Sequence, residues 1–165
     1  MTLGRLFAGV IVILIIAATN LTVGAHIKDT YFERLISQSD QVISSALELP
    51  PLQAEEPRAE CIEKISPNAR EKIANTANSI KFTYLSETRQ PLRTEYYKDR
   101  RLVAVDLLSQ TGQPVRREIY DQGHRRIELF YNERGNIVVK LYYDEHCRKV
   151  DTYTYFPPGG IRLTY

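Results

Sequence analysis

Tryptophan is absent from the chain and methionine occurs only as Met1, yet eleven tyrosines are present among 165 residues. Aromatic side chains fit the pleated, half-buried surface of a strand, so this bias favours β structure. Charge of one sign is lacking too: 22 Lys and Arg oppose 20 Asp and Glu, leaving a formal net charge of +2. That imbalance is too small to argue for a nucleic-acid partner by bulk electrostatics. No Gly-x-Ser-x-Gly elbow, Cys–His nucleophile pair or glycine-rich phosphate loop occurs, so no catalytic motif stands out. Carboxylate pairs such as Asp144-Glu145 fall in turns, where solvated charge explains them. The length suits one domain, and ordinary charged (25%) and apolar (43%) fractions argue against wholesale disorder.

One long apolar run stands at the N-terminus. Arg5 precedes an apolar block from Leu6 to Ala18, and a more polar stretch, Thr19 to Ala25, follows it. A positive start, an apolar centre and small residues at Val23 and Ala25 form a secretory signal peptide with cleavage before His26. The 13 apolar residues make a helix of about 20 Å, short of a hydrocarbon core of about 30 Å. The rival reading extends the span to Ala25 and leaves an uncleaved inner-membrane anchor with Arg5 on the cytoplasmic side. Membrane contact is then confined to residues 1–25. No cysteine follows the apolar block, so a lipid-modified N-terminus is not indicated. Both readings put the rest of the chain outside the cytoplasm, in the periplasm or beyond. In such an oxidising compartment the two cysteines, Cys61 and Cys147, are candidates for one disulfide.

Residues 26–79 read as a helical segment. Ile27, Tyr31, Phe32, Leu35, Ile36, Val42, Ile43, Ala46 and Leu47 recur at spacings of three and four, which predicts an amphipathic helix from His26 to Leu49. Pro50-Pro51 ends it. A polar linker reaches about Pro57, and Ser66-Pro67 opens a second, short helix to about Asn78. Such helices serve to cover one face of a sheet.

Residues 80–165 repeat. Ser86-Glu87-Thr88-Arg89-Gln90-Pro91-Leu92, Ser109-Gln110-Thr111-Gly112-Gln113-Pro114-Val115 and Asn132-Glu133-Arg134-Gly135-Asn136-Ile137-Val138 align at intervals of 23 residues. A second turn interleaves after Tyr97, Tyr120 and Tyr143. Turns this frequent, rich in Gly, Asn, Asp and Pro, are hairpin connections. The fold class is therefore α+β: a signal or anchor helix, one or two amphipathic helices, then an antiparallel meander of about eight strands. The expected strands are 80–86, 92–97, 102–108, 115–120, 125–131, 137–143, 149–156 and 161–165. Alternation puts Leu92, Val115, Val138 and Ile161, with Tyr96, Ile119, Tyr142 and Tyr165, on one face, which is to take the helices. The other face carries Arg93-Glu95-Tyr97, Arg116-Glu118-Tyr120 and Val139-Leu141-Tyr143, and is the one left open to solvent where helices cover only the first; the sequence alone does not fix which face is exposed.

Tyr120-Asp121-Gln122-Gly123, and Tyr131-Asn132-Glu133-Arg134-Gly135-Asn136-Ile137 followed by Tyr142-Tyr143-Asp144, resemble the YD (RHS-type) and MORN-like hairpin repeats of bacterial proteins. The resemblance covers residues 86–165 and departs from the pattern at Arg89, Arg100 and His146, where glycine is preferred. It implies a sheet or solenoid of β-hairpins in a scaffold, surface binder or toxin-associated protein. No catalytic residue carries over from it.

The repeated Arg93, Tyr97, Arg116, Tyr120 and Tyr143 are the candidate binding residues for a protein or an envelope polymer. Basic doublets such as Arg116-Arg117 and Arg125-Arg126 split between the two faces, where Glu95, Glu118, Glu128 and Asp151 can pair with them. His26, His124 and His146 do not converge as a metal site needs, so neither metal nor cofactor is called for. The leading expectation is an exported bacterial envelope protein acting as a binding or scaffold module. An immunity-type inhibitor of an exported toxin and, less favoured, an envelope enzyme are the alternatives. The last strand also leaves an edge open to strand addition.

Overall fold

The computed structural model describes residues 30–53, 61–65, 70, 73, 78–155 and 160–163. The apolar block of residues 1–25 and most of the helix expected from Pro67 lie outside the described residues; Arg70 and Ile73 are helical. Among the described residues no helix is long and apolar enough to cross a membrane.

Helix α1 runs over residues 30–45. It stops short of the expected Leu49, and in its last turn two serine hydroxyls bond back to carbonyls three residues earlier: Ser44 Oγ donates to Gln41 O at 3.0 Å and Ser45 Oγ to Val42 O at 3.3 Å. Such back-bonding competes with the regular helix ladder. The chain then turns extended as β1 (Leu47–Glu48) and β2 (Leu52–Gln53). Both pair parallel with β3 (Ile80–Leu85), β1 at Ile80 and Lys81, β2 at Tyr84 and Leu85. Pro50-Pro51 lies between them, and proline has no N–H to give a ladder, so one edge strand is broken in two.

From β3 the chain runs as a meander through β4 (Pro91–Lys98), β5 (Arg101–Leu108), β6 (Pro114–Asp121), β7 (His124–Tyr131), β8 (Ile137–Tyr143), β9 (Lys149–Tyr155) and β10 (Gly160–Leu163). Each neighbour is antiparallel to the last. The sheet as a whole is mixed rather than purely antiparallel, because β1 and β2 add to it in parallel.

The 23-residue period has a local cause. Two strands of eight residues alternate with a five-residue turn and a two-residue turn. The five-residue turns are alike: Arg89 N donates to Ser86 O, Gly112 N to Ser109 O and Gly135 N to Asn132 O, all at 2.9 Å. Each first side chain also accepts from the backbone four residues on: Ser86 from Gln90, Ser109 from Gln113, Asn132 from Asn136. The two-residue turns, Asp99-Arg100 and Gln122-Gly123, have positive φ at both positions (50° and 64°, 50° and 82°), the type I′ geometry that suits strand twist.

The third short turn departs from the period. Residues 144–148 form a five-residue turn instead, with Cys147 N donating to Asp144 O at 3.1 Å and Cys147 at φ 64°. Cys147 thus occupies the left-handed position of Gly112 and Gly135, rather than the strand position of His124 with which the repeat alignment pairs it.

Candidate functional site

The two sheet faces are both covered over β4 and β5. On the first face Val42 and Ile43 of α1, with Ala46 just after it, pack against Tyr96, Ala104 and Val103, as the sequence leads one to expect. The Leu92, Val115, Val138 row sits instead at the rim, where each residue is skipped by the strand pairing, and Val115 is 44% exposed. On the second face Ile73, Ile80, Phe82, Tyr84, Tyr97, Leu102, Val105 and Tyr120 form a core against which Leu49, Leu52, Ile65 and Leu107 pack.

This second core corrects the expectation of an open Arg/Glu/Tyr face. Arg93, Glu95, Tyr97, Glu118, Tyr120, Glu128 and Tyr143 are buried, and Arg116 is half-buried. The buried carboxylates survive burial because neighbouring donors satisfy them. Glu95 Oε2 accepts from Tyr84 Oη at 2.9 Å and Tyr97 Oη at 2.6 Å, while its Oε1 accepts from Arg93 Nε at 3.1 Å. The Arg93 guanidinium also stacks 4.0 Å over the Tyr84 ring.

One repeat later the same positions do the same work. Glu118 accepts from Tyr120 Oη at 2.8 Å and from Arg116. Arg125 Nη1 then bridges Glu118 at 3.3 Å and Glu128 at 2.7 Å. In the third repeat Val139 and Leu141 replace the Arg and Glu. Tyr143 turns across the strands to donate to Glu128 at 2.8 Å, with Arg125 4.8 Å over its ring. Burial, reinforced by that carboxylate, pushes the Tyr143 phenol up to about 12. The five residues marked by the repeat therefore belong to one buried charge-and-phenol row, whose carboxylate oxygens are already occupied. Such a row ties neighbouring strands together through its side chains.

The Arg116-Arg117 doublet divides as alternation requires. Arg117 points to the first face, where Nε and Nη2 grip Asp106 at 2.6 and 3.0 Å and Nη1 reaches Asp40 of α1 at 3.1 Å. Burial pulls this guanidinium's pKa down, but the Asp106 hydrogen bonds outweigh it and hold the group above its ordinary value. Tyr96 Oη donates to Asp106 at 3.2 Å. Burial, then the Asp106 charge, raises this phenol. Asp106 and Asp40 were not singled out from sequence, since neither lies in a repeated motif.

Cys61 and Cys147 form a disulfide across a sequence separation of 86, with Cα atoms 6.1 Å apart. Beside it, Ile62 makes an antiparallel bridge to His124. Among the described residues no group of His, Cys, Asp or Glu is placed to hold a metal.

A cleft of about 550 Å³ opens between α1 and the two short hairpin turns. Leu35, Val42, Leu102, Val103, Ile119 and Tyr120 supply its apolar lining, and Gln38, Gln41, Lys98, Asp99, Arg101 and Gln122 its polar groups. Sequence reasoning missed it, because α1 and the turns are brought together by tertiary contacts such as the packing of Val42 on Tyr96 and Ala104.

No protein-family model and no curated protein matches the chain. Among solved structures, the crystal structure of the GtfA/B complex bound to UDP and GlcNAc is similar at 17% identity and a TM-score of 0.36, over 48% of this chain and 21% of that chain. The match spans well under two thirds of that chain, and a likeness at this score carries no argument about fold or function.

Proposed function

We propose that this chain is an exported or envelope-anchored binding module, with the repeat sheet as its scaffold and the cleft beside α1 as its binding surface. The observation that carries the binding reading is the cleft itself. At about 550 Å³ it has the size of a recognition site, and its mostly polar lining, with apolar residues such as Leu35, Val42 and Ile119 among the polar ones, suits a polar partner. Export is supported by the apolar block at residues 6–18 and by a disulfide, a bond that persists in oxidising compartments. The partner is a protein or an envelope polymer, as the resemblance to bacterial hairpin-repeat proteins also suggests.

The test is capture from an envelope fraction on the immobilised, oxidised protein, comparing the parent with Gln41→Trp, which fills the cleft from the exposed side of α1. Val115→Asp, on the far rim, is the control. Loss of capture with Gln41→Trp alone supports the reading. Equal capture by all three proteins sinks the cleft as the binding surface.

A further inference from the structure

Residues 61–65 form a strap held to the sheet by a disulfide and by hydrogen bonds. Glu63 N donates to Gly123 O at 2.7 Å and Arg125 N to Cys61 O at 2.7 Å. Leu102 N donates to the Glu63 carboxylate at 2.6 Å. Ile65 packs on the core containing Leu102 and Tyr120, which are 3% and 4% exposed. The covalent point is Cys61–Cys147.

Three features set this bond apart from a buried staple. Cys147 is carried by the one short turn that has been lengthened, and it stands in a left-handed conformation (φ 64°) that the other five-residue turns give to glycine or arginine. Both cysteines are only half-buried, beside exposed Ile62, His146 and Arg148, so a thiolate can reach the sulfurs. The strap meets the sheet through contacts such as those of Cys61 O, Glu63 N and the Glu63 carboxylate, whereas β3 to β9 are zipped by ladders that involve neither cysteine.

We infer that Cys61–Cys147 is a redox latch: its reduction frees the strap from the β6–β7 hairpin and uncovers Leu102 and Tyr120, while the meander stays folded. The reductant is a dithiol. One of its thiolates attacks a sulfur of the bond, which breaks to give a mixed disulfide and one protein thiolate. The second dithiol sulfur then displaces the other cysteine. The dithiol is oxidised to its disulfide, and its two electrons and two protons end on Cys61 and Cys147 as thiols. Leu102, Tyr120 and Gly123 also line the cleft, so the latch would alter that surface, but the inference rests on the strap's geometry and not on the binding reading.

The test is residue-resolved hydrogen exchange on the full chain, oxidised, dithiothreitol-reduced, and as the Cys61→Ser/Cys147→Ser variant. The latch predicts at least tenfold faster exchange at the amides of Glu63, Leu102 and Arg125 in both unbridged forms, with interior amides of β6 and β7 unchanged. Unchanged exchange at those three amides overturns it, and so does an equal rise across the sheet, which would make the bond a staple for the whole fold. Glu63→Ala in the oxidised protein is to speed Leu102 alone. If it speeds all three amides as much as reduction does, the carboxylate and not the bond holds the strap, and the latch is wrong.

Discussion

Replacing Glu95 by leucine removes one acceptor from three buried donors at nearly constant volume. Tyr84, Tyr97 and Arg93 all donate to this carboxylate, and Arg93 is 2% exposed. Breaking the ion pair of a buried guanidinium costs roughly 3–5 kcal/mol, and each phenol that loses an acceptor about 1–3 kcal/mol. Members of one network are not additive, so the expected total is about 4–6 kcal/mol. A domain of this size has about 5–15 kcal/mol to lose. With a urea slope of about 1–3 kcal/mol per molar, the midpoint should fall by about 2–3 M. The double variant Arg93→Met/Glu95→Leu replaces the pair by apolar groups and should recover much of the loss, since a buried ion pair is often matched by well-packed hydrophobic residues. Urea unfolding followed by tyrosine fluorescence reads all three proteins. A loss below about 1 kcal/mol for Glu95→Leu, or a double variant no better than the single, would refute the claim that this row is a coupled structural unit.

Other consequences follow from the turns, the phenols and the α1 anchor. Arg89 holds φ 62° where glycine is free to do so, so Arg89→Gly should gain roughly 1 kcal/mol. Gly112→Ala should lose at least as much, its new Cβ lying 3.3 Å from Pro91 Cγ at φ +80°, and urea midpoints decide both. Tyr143 at about 12, with Tyr96 and Tyr131 also raised by burial, means that the folded state keeps protons the unfolded chain releases near pH 10. That contribution is intact below pH 10 and is lost as pH rises toward about 12. An ultraviolet phenolate titration should show late ionisation that coincides with unfolding, and uniform titration near pH 10 on an intact fold would contradict it. Asp106→Ala should cost about 3 kcal/mol by removing the buried partner of Arg117 and leaving that guanidinium to Asp40, whose side chain is 59% exposed; Asp40→Ala should cost under about 1 kcal/mol.

The meander was legible because its cause is local. Turn residues such as Ser109 and Asn132 cap their own five-residue loops, so the strand bounds expected at 102–108 and 137–143 fall within a residue of Arg101–Leu108 and Ile137–Tyr143. The parallel strands β1 and β2 were not legible. Each is two residues long and pairs with a strand some thirty residues later in the chain, which no local pattern announces. The Arg-x-Glu-x-Tyr alternation correctly assigned which residues share a face, but not that the face is buried. Its cover comes from Leu52, Ile65 and Ile73, in a segment whose own sequence reads as linker and helix. Strict 23-residue phasing also misplaced Cys147, because the turn at 144–148 is three residues longer than its counterparts.

The most direct test of the account is non-reducing peptide mapping, after rapid alkylation, of the protein taken from the envelope fraction of a producing cell. An exported module built this way should yield a linked peptide pair containing Cys61 and Cys147, with neither thiol alkylated. A cytoplasmic protein with both cysteines alkylated would contradict it, removing at once the export reading and the bond that ties the strap to the sheet.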